Sequence, residues 1–323
     1  MIGMIVRTLK HRGITGSLKI AKNILCYLVY KKILKKRYVT QTINNRKMYL
    51  DLDDPGISKE LFIFSSREDQ LKFILGKLLK KDMVILDVGG NIGYYPLLEA
   101  TIVGSEGKVH VIEPYPPNYE LLLKNIHLNM LDDRILTYQF AAFDKKGTEK
   151  FHISYGSNLG TLFPGDLGGS EKSHPLLTGE TIDVETKSLS EFISSIEDNI
   201  DLIRMDAEGA EVMILRGLNS AIENGDFNGI IVFEAHTSKY NLQNNIRLEL
   251  NNLSNLGYFP AIVTTDDEAK STLRQHGYNP EVVIRVSNKK LRGLYRNVSM
   301  ANLIDHLENI GDIRDVVLVF KSV

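Results

Sequence analysis

The sequence predicts an α/β fold: a mostly parallel, Rossmann-like sheet with helices on both faces, carrying a basic helical arm at its N-terminal end. Three patterns predict it. Short apolar runs, several ending in an acid, alternate with helical periodicity from residue 83 onward; a glycine-rich turn follows the first run; and residues 1–50 hold twelve Lys or Arg but no Asp or Glu.

Each run justifies its element. Residues 83–87 (MVILD) are continuously apolar up to the final acid, as a strand covered on both faces requires, and the glycine turn after them opens into a helix at about 92–103. A second strand is expected at 108–113 (KVHVIE), then a helix at 118–130 with Tyr119, Leu122, Leu123 and Ile126 on one face, then a third strand at 134–142. The strand ending in an acid recurs at 201–206 (DLIRMD) and 229–234 (GIIVFE), with a helix from about 210 between them. Beyond lie a helix at 244–256, a strand at 258–263 and a last strand at 315–320 that would end the sheet in an antiparallel pair. Residues 156–180 are rich in Gly, Ser and Pro and lack periodicity, so this long loop is expected to be a lid or a substrate-contacting segment.

Composition sets the outer bounds. At 323 residues and 43% hydrophobic, the chain can bury a full core. The single cysteine, Cys26, excludes a disulfide within the chain and a thiolate metal cluster, which suits a reducing, cytoplasmic setting. The net charge of −1 hides an asymmetry, because the residues after position 50 carry 27 basic against 40 acidic side chains. The longest uncharged run of the basic arm, residues 23–30, is far below the ~20 residues that cross a bilayer. As a helix, the arm repeats Ile20, Ile24, Leu25, Leu28, Ile33 and Leu34 among lysines. That pattern suits packing on the body by an apolar stripe, or contact of residues 1–47 with an anionic membrane at its inner face. Nucleic acid is a disfavoured third partner, since no base-stacking aromatics interleave the charges.

The turn Asp87-Val88-Gly89-Gly90-Asn91-Ile92-Gly93 stands where an open α/β sheet binds its ligand. Its glycines let the backbone approach a ligand closely. The second strand ends at Glu113, followed by Pro114, and a carboxylate there can accept hydrogen bonds from both hydroxyls of a ribose. A dinucleotide fingerprint through Gly90 and Gly93 needs glycine at position 88, which is Val88. Asp87 would also repel a diphosphate but favour a cationic sulfonium with its ammonium group. The expected cofactor is therefore S-adenosylmethionine, with Asp87, Gly89, Gly90, Asn91, Gly93, Glu113 and Pro114 around it. Ala141, Ala142 and Phe143 at the third strand's end are placed to meet an adenine ring, with Asp144 near its amino group.

The segments VILDVGGNIGYY (84–95), VIEPYPPNYELLLKNIHLN (111–129), AAFDKKG (141–147) and DLIRMDAEGAEVMILRG (201–217) together resemble the FkbM family of methyltransferases. The last block, with D-x-E-G-x-E after the fourth strand, is the most distinctive. The resemblance implies a class I methyltransferase fold with a seven-stranded sheet over residues 61–323, residues 1–60 forming the arm and its helical extension. It also implies O-methylation, often of sugars, glycans or natural products. The family's usual alanine is Gly90 here, and its lysine before the fourth motif is Arg204.

Methyl transfer to an oxygen needs in-line positioning and removal of the hydroxyl proton. The candidates are Asp206, Glu208, Glu234 and His236 at neighbouring strand ends, with Glu211 one helical step on. Asp206 or His236 is the expected base. Asp206, Glu234 and His236 could instead hold a divalent ion, a reading that is not favoured because acids gather at strand tips without one. Glu211 in a first helical turn also stabilises the helix's positive end. Two other readings compete: a binding module that kept the fold without catalysis, against which the intact glycine turn and Glu113 argue, and a nucleic-acid methyltransferase. Enzymes that methylate base nitrogens carry an N-P-P-Y type tetrad after the fourth strand, whereas this chain has Asp206-Ala-Glu-Gly. The acceptor itself is left to loops 156–180 and 264–312.

Overall fold

The computed structural model describes residues 18–163, 176–286 and 290–321. Helix α1 (18–28) runs through a π-helical turn (Val29–Ile33) into a hairpin of β1 (Tyr38–Ile43) and β2 (Arg46–Asp51), followed by α2 (Ile57–Phe64) and α3 (Asp69–Leu78). The alternating part then runs β3 (Val84–Val88), α4 (Tyr94–Val103), β4 (Lys108–Ile112), α5 (Pro116–Leu128) and β5 (Ile135–Tyr138). An excursion of β6 (Ala141–Phe143), β7 (Gly147–Ser154) and β8 (Leu177–Ser188) leads through the short α6 (Leu189–Ile193) to β9 (Leu202–Met205), α7 (Glu211–Glu223) and β10 (Ile230–Glu234). The chain finishes with α8 (Ile246–Asn255), β11 (Tyr258–Thr265), β12 (Val282–Arg285), β13 (Leu291–Tyr295), α9 (Met300–Asp305) and β14 (Ile313–Phe320).

The main sheet has the order β12-β13-β11-β14-β10-β9-β3-β4-β5. Strands β5, β4, β3, β9 and β10 are parallel, and β14 enters antiparallel between β10 and β11, the antiparallel finish expected of the last strand. The count is nine rather than seven, because β12 and β13, within the segment 264–312 that reads as a loop, extend the sheet beyond β11. The third expected strand also divides. After β5 the chain leaves the main sheet, and β6 pairs with β8 in a separate three-stranded sheet. The expected loop 156–180 is shorter than its composition suggests, since residues from Leu177 onward already belong to β8, and residues 164–175 lie outside the described residues.

Successive residues of a strand face opposite sides, which divides the core in two. Leu86, Val88, Ile203, Met205, Ile231 and Phe233 face α7 and α8, where Ile214, Leu215, Leu218 and Leu250 cover them. Ile85, Val109, Val111, Leu202, Val232 and Val317 face the other way, against Leu75, Leu97 and Leu122 of α3, α4 and α5. Met48, Leu50 and Leu52, from β2 and the residue after it, join this second layer. Helix α1 adds Ile20 and Tyr27, both buried.

Candidate active site

The chain goes from β3 outward to β4, and later returns to lay β9 on the other side of β3. Loops leaving β3 therefore diverge from one another at the strands' C-terminal edge and open a crevice there. A cleft opens at that edge.

Its floor is the glycine turn. Gly89 (φ 85°) and Gly93 (φ 94°) lie in the left-handed region, and a Cβ on Gly89 would stand 2.1 Å from the carbonyl oxygen of Asp206. A Cβ on Gly90 would meet Val111 Cγ1 at 2.1 Å, so the alanine usual in the family would require Val111 to move. The glycines thus let the β3 and β9 loops touch. The Gly89 and Gly90 N–H groups both donate to the Ile112 carbonyl, tying the turn to the end of β4.

Glu113 stands one residue beyond β4, 4% exposed, on the cleft wall. Its Oε2 accepts from the Asn91 N–H at 2.8 Å and its Oε1 from the Tyr115 N–H at 2.9 Å. Burial pushes the carboxyl up to about 7, against these two backbone hydrogen bonds and Asn118. Each oxygen keeps a lone pair for a further donor. Ala141, Ala142, Phe151, Leu162 and Ile214 form an apolar part of the same cleft, whereas Phe143 and Asp144 of the expected adenine contact are not among its lining residues.

Residues 156–158 form a strap over the cleft. Asp54 receives the backbone N–H of Gly56, Ser58 and Ser157 and the hydroxyl of Ser157, all at 2.9–3.0 Å. From below, Asn91 and Asn118 donate to the Ser157 carbonyl at 3.2 and 2.9 Å. Gly56 and Gly156 permit the crossing, since a Cβ on Gly56 would come within 2.9 Å of the Gly156 Cα.

At the opposite end lies an ion-pair network. Arg204, 2% exposed, donates to Asp87 Oδ1 at 2.8 Å and to Asp206 Oδ2 at 3.0 Å, with its guanidinium 4.0 Å from the centre of the Tyr95 ring. Asp87 and Arg204 sit opposite each other in the β3–β9 register, which makes this pairing a product of the sheet. Behind Asp206, His236 Nδ1 lies 2.9 Å from Glu211 Oε1, and its Nε2 is 3.5 Å from Glu208, 3.5 Å from Glu234 and 3.9 Å from Asp206. Glu211 Oε1 also accepts from the Ala207 and Gly209 N–H groups, fixing the loop that presents Asp206 and Glu208. Arg314, brought alongside by the antiparallel β14, pairs with Glu234 and stands 3.6 Å from Glu68. Tyr95 donates to Glu68 Oε2 at 2.6 Å.

The charges are strongly coupled. Burial disfavours the His236 cation, but Glu211 and Glu208 outweigh it and hold the imidazole well above its ordinary range. Burial raises Asp206 against the pull of Arg204, and raises Glu234 strongly with Asp206 adding to the effect. Glu208 goes the other way, because His236 and Lys239 overcome its burial. Glu68 is likewise drawn down to about 2: burial opposes this, and Arg67, Tyr95 and Arg314 prevail.

Of the residues singled out from sequence, Gly89, Gly90, Asn91, Glu113, Pro114, Ala142, Asp206 and Glu208 line the cleft. Asp87, Gly93, Glu211, Glu234 and His236 stand elsewhere, as do Phe143 and Asp144. Asp87 is fully buried and paired with Arg204, so its charge is not offered to a cofactor's ammonium group as expected. Gly93 shapes the turn at the start of α4, His236 backs the lining acids Asp206 and Glu208, and Glu234 pairs with His236 and Arg314. Asp206, Glu234 and His236 do come together, with ligand atoms within 4.8 Å of one another. Arg67, Tyr95 and Asn118, which also line the cleft, and Glu68 and Arg314 behind it, escaped the sequence reading. Two signals could have found the charged ones: the pair Arg67-Glu68 directly before an apolar helix, and Arg314 at the head of the apolar strand IRDVVLVF.

The Methyltransferase FkbM domain matches residues 87–280. Methyltransferase 1 of Beauveria bassiana is 29% identical over 170 residues, 49% of this chain and 66% of that protein. Hexuronic acid methyltransferase AglP of Haloferax volcanii is 24% identical over 170 residues, 52% of this chain and 62% of that protein. The chain thus spans just under two thirds of the length of these curated relatives. A solved structure of methyltransferase FkbM from Methylobacillus flagellatus superposes with a TM-score of 0.40 at 13% identity, over 73% of this chain and 52% of that one. With the matched domain covering more than half of its residues, from the acid of the glycine turn through the Asp206 loop and beyond, the chain belongs to the FkbM methyltransferase family.

Proposed function

We propose that the protein is an S-adenosylmethionine-dependent O-methyltransferase whose acceptor is a hydroxyl of a sugar, glycan or lipid-linked saccharide. One observation carries the reading: a single cleft has an isolated buried carboxylate, Glu113, at one end and the acids Asp206 and Glu208 at the other, with the glycine turn between them. A nucleoside with a cationic tail suits that layout. Glu113 is the acceptor for a ribose diol, the slot of Ala142, Phe151 and Leu162 is apolar enough for adenine, and the acids favour positive charge. When bound, S-adenosylmethionine supplies a methyl group on a cationic sulfur.

The chain's own residues then have separate tasks. Asp206 Oδ2 is fixed by Arg204, and its Oδ1, with raised proton affinity, takes the acceptor's hydroxyl proton. His236, drawn toward its cationic form by Glu211 and Glu208, is the weaker choice of base and steadies Asp206 and Glu208. The strap at 156–158 limits water access, which strengthens these charge interactions. The hexuronic acid methyltransferase among the relatives supports a saccharide acceptor.

A metal-assisted route has one observation in its favour, the convergence of Asp206, Glu234 and His236. Arg204 and Arg314 already place cations beside Asp206 and Glu234, so we favour a metal-free reaction, and turnover should survive a strong chelator. The direct test follows methyl label from the donor into an oligosaccharide bearing uronic acids. The wild type should transfer it, and Asp206→Asn should lower kcat by about a hundredfold or more, with a much smaller loss of donor affinity from the missing charge. Equal kcat in the variant would remove Asp206 from the chemistry.

A further inference from the structure

Helix α1 leaves the wrong side chains in solvent. Its inner face accounts for Ile20 and Tyr27: Asn23 donates to the Ile63 carbonyl, and Tyr27 and Lys31 donate to the Leu52 carbonyl. Its outer stripe and the turn that follows expose Leu18 (65%), Leu25 (64%), Ile33 (71%) and Leu34 (52%). Packing on the body therefore explains one apolar face and leaves a second uncovered.

Lysines surround that second face. Lys19, Lys22, Lys32, Lys35 and Lys36 form no ion pair among the described residues, while the nearby acids Asp51 and Asp53 are paired with Arg37 and Lys31. The chain carries no Asp or Glu before Asp51. Tyr38 continues the surface at 44% exposure, with Arg37 and Lys124 over its ring at 5.1 and 5.8 Å, so an amphipathic aromatic adjoins the lysines. No helix among the described residues is long and apolar enough to cross a membrane.

We propose that this outer face of α1, with the turn to Tyr38, docks the protein on an anionic lipid bilayer. Leu25, Ile33 and Leu34 enter the acyl boundary, the lysines meet lipid phosphates, and Tyr38 lies at headgroup level. A nucleic acid would use the lysines but not three exposed aliphatic side chains, and a second copy of the chain would bring the same positive charge to its own face. The hydrogen bonds to Leu52 attach α1 and its following turn two residues before Asp54, which holds the strap. The proposal does not depend on the methyl-transfer reading.

Flotation of the full chain with phosphatidylcholine vesicles, with and without phosphatidylglycerol, tests it. Binding should require the anionic lipid, fall about tenfold or more in the double variant Leu25→Glu/Ile33→Glu, and fall about fivefold for each of Lys32, Lys35 and Lys36 changed to Ala. High salt should weaken it. The protein has no tryptophan, so Leu25→Trp introduces a single fluorescent probe whose emission should shift to the blue on vesicles. Four results would overturn the proposal: no binding to either vesicle; binding that the glutamates leave unchanged; tryptophan emission of the Leu25→Trp variant unchanged on vesicles; or a dimer abolished by the glutamates without any vesicle binding.

Discussion

Glu113 closes β4 with each oxygen held by one backbone N–H, and burial places its titration at about 7 in the free protein. The sign of the pH effect follows. Above about 7 the carboxylate is ionised and ready to accept from a diol, and below it a proton must leave before binding. Donor affinity, measured by titration calorimetry, should be constant above that point and fall by about tenfold per pH unit below it. Glu113→Gln should flatten the profile. Beneath the site, Glu99 is fully buried without a hydrogen-bond partner among the described residues, and burial together with Asp87 holds it well above its ordinary value. The folded chain therefore keeps a proton there that the unfolded chain releases above about 4.5, so stability declines as pH rises beyond that point. Glu99→Gln should reduce the decline in denaturant midpoint between pH 5 and 8; an unaltered slope would mean the decline comes from other groups. Arg204 has the opposite character, because Arg204→Met would strand Asp87 and Asp206 as buried carboxylates and cost about 3–5 kcal/mol.

Asp54 shows how an element outside the matched domain serves the site. Its carboxylate closes the start of α2 and holds the 156–158 strap with the same two oxygens. Asp54→Ala should cost about 1–2 kcal/mol of stability and raise amide exchange at Ser157, with donor affinity reduced more than kcat. Unchanged exchange at Ser157 would show that Asn91 and Asn118 hold the strap unaided. The elements readable in advance were those with a pattern that burial imposes. Strands β3, β4, β9 and β10 are apolar runs because both faces are covered, and α5 and α7 follow apolar periodicity or a first-turn acid. By contrast, β7 begins with four exposed residues, Gly147 to Lys150, and β12 alternates half-buried with exposed positions. Neither leaves a pattern distinct from loop. The site was legible to the same degree: lining acids at strand ends could be placed, but Asp87 could not be seen to be neutralised, since its partner lies 117 residues away on β9.

At the scale of the whole molecule, the cleft sits on the seam between two core layers that share one sheet. Val88, Ile112 and Ile214, from the layer beneath α7, and Ile57, Tyr94 and Tyr95, from the layer of the hairpin and α3–α5, line it together. A ligand there joins both layers, so saturating donor at about a hundred times its Kd should add roughly 2.7 kcal/mol and move one cooperative calorimetric transition upward by several degrees. Two separate transitions, with the donor shifting one, would mean the layers unfold independently. The basic half of the charge asymmetry is visible in composition, whereas its division into an inward and an outward face of α1 required the fold. Whether Glu113 holds the donor is tested by calorimetric titration of S-adenosylmethionine into wild type and Glu113→Gln at pH 8. One site per chain is expected in the wild type, with binding about tenfold or more weaker in a variant of unchanged melting temperature; equal affinity in the two proteins, or no binding to the wild type, would show that Glu113 does not hold it.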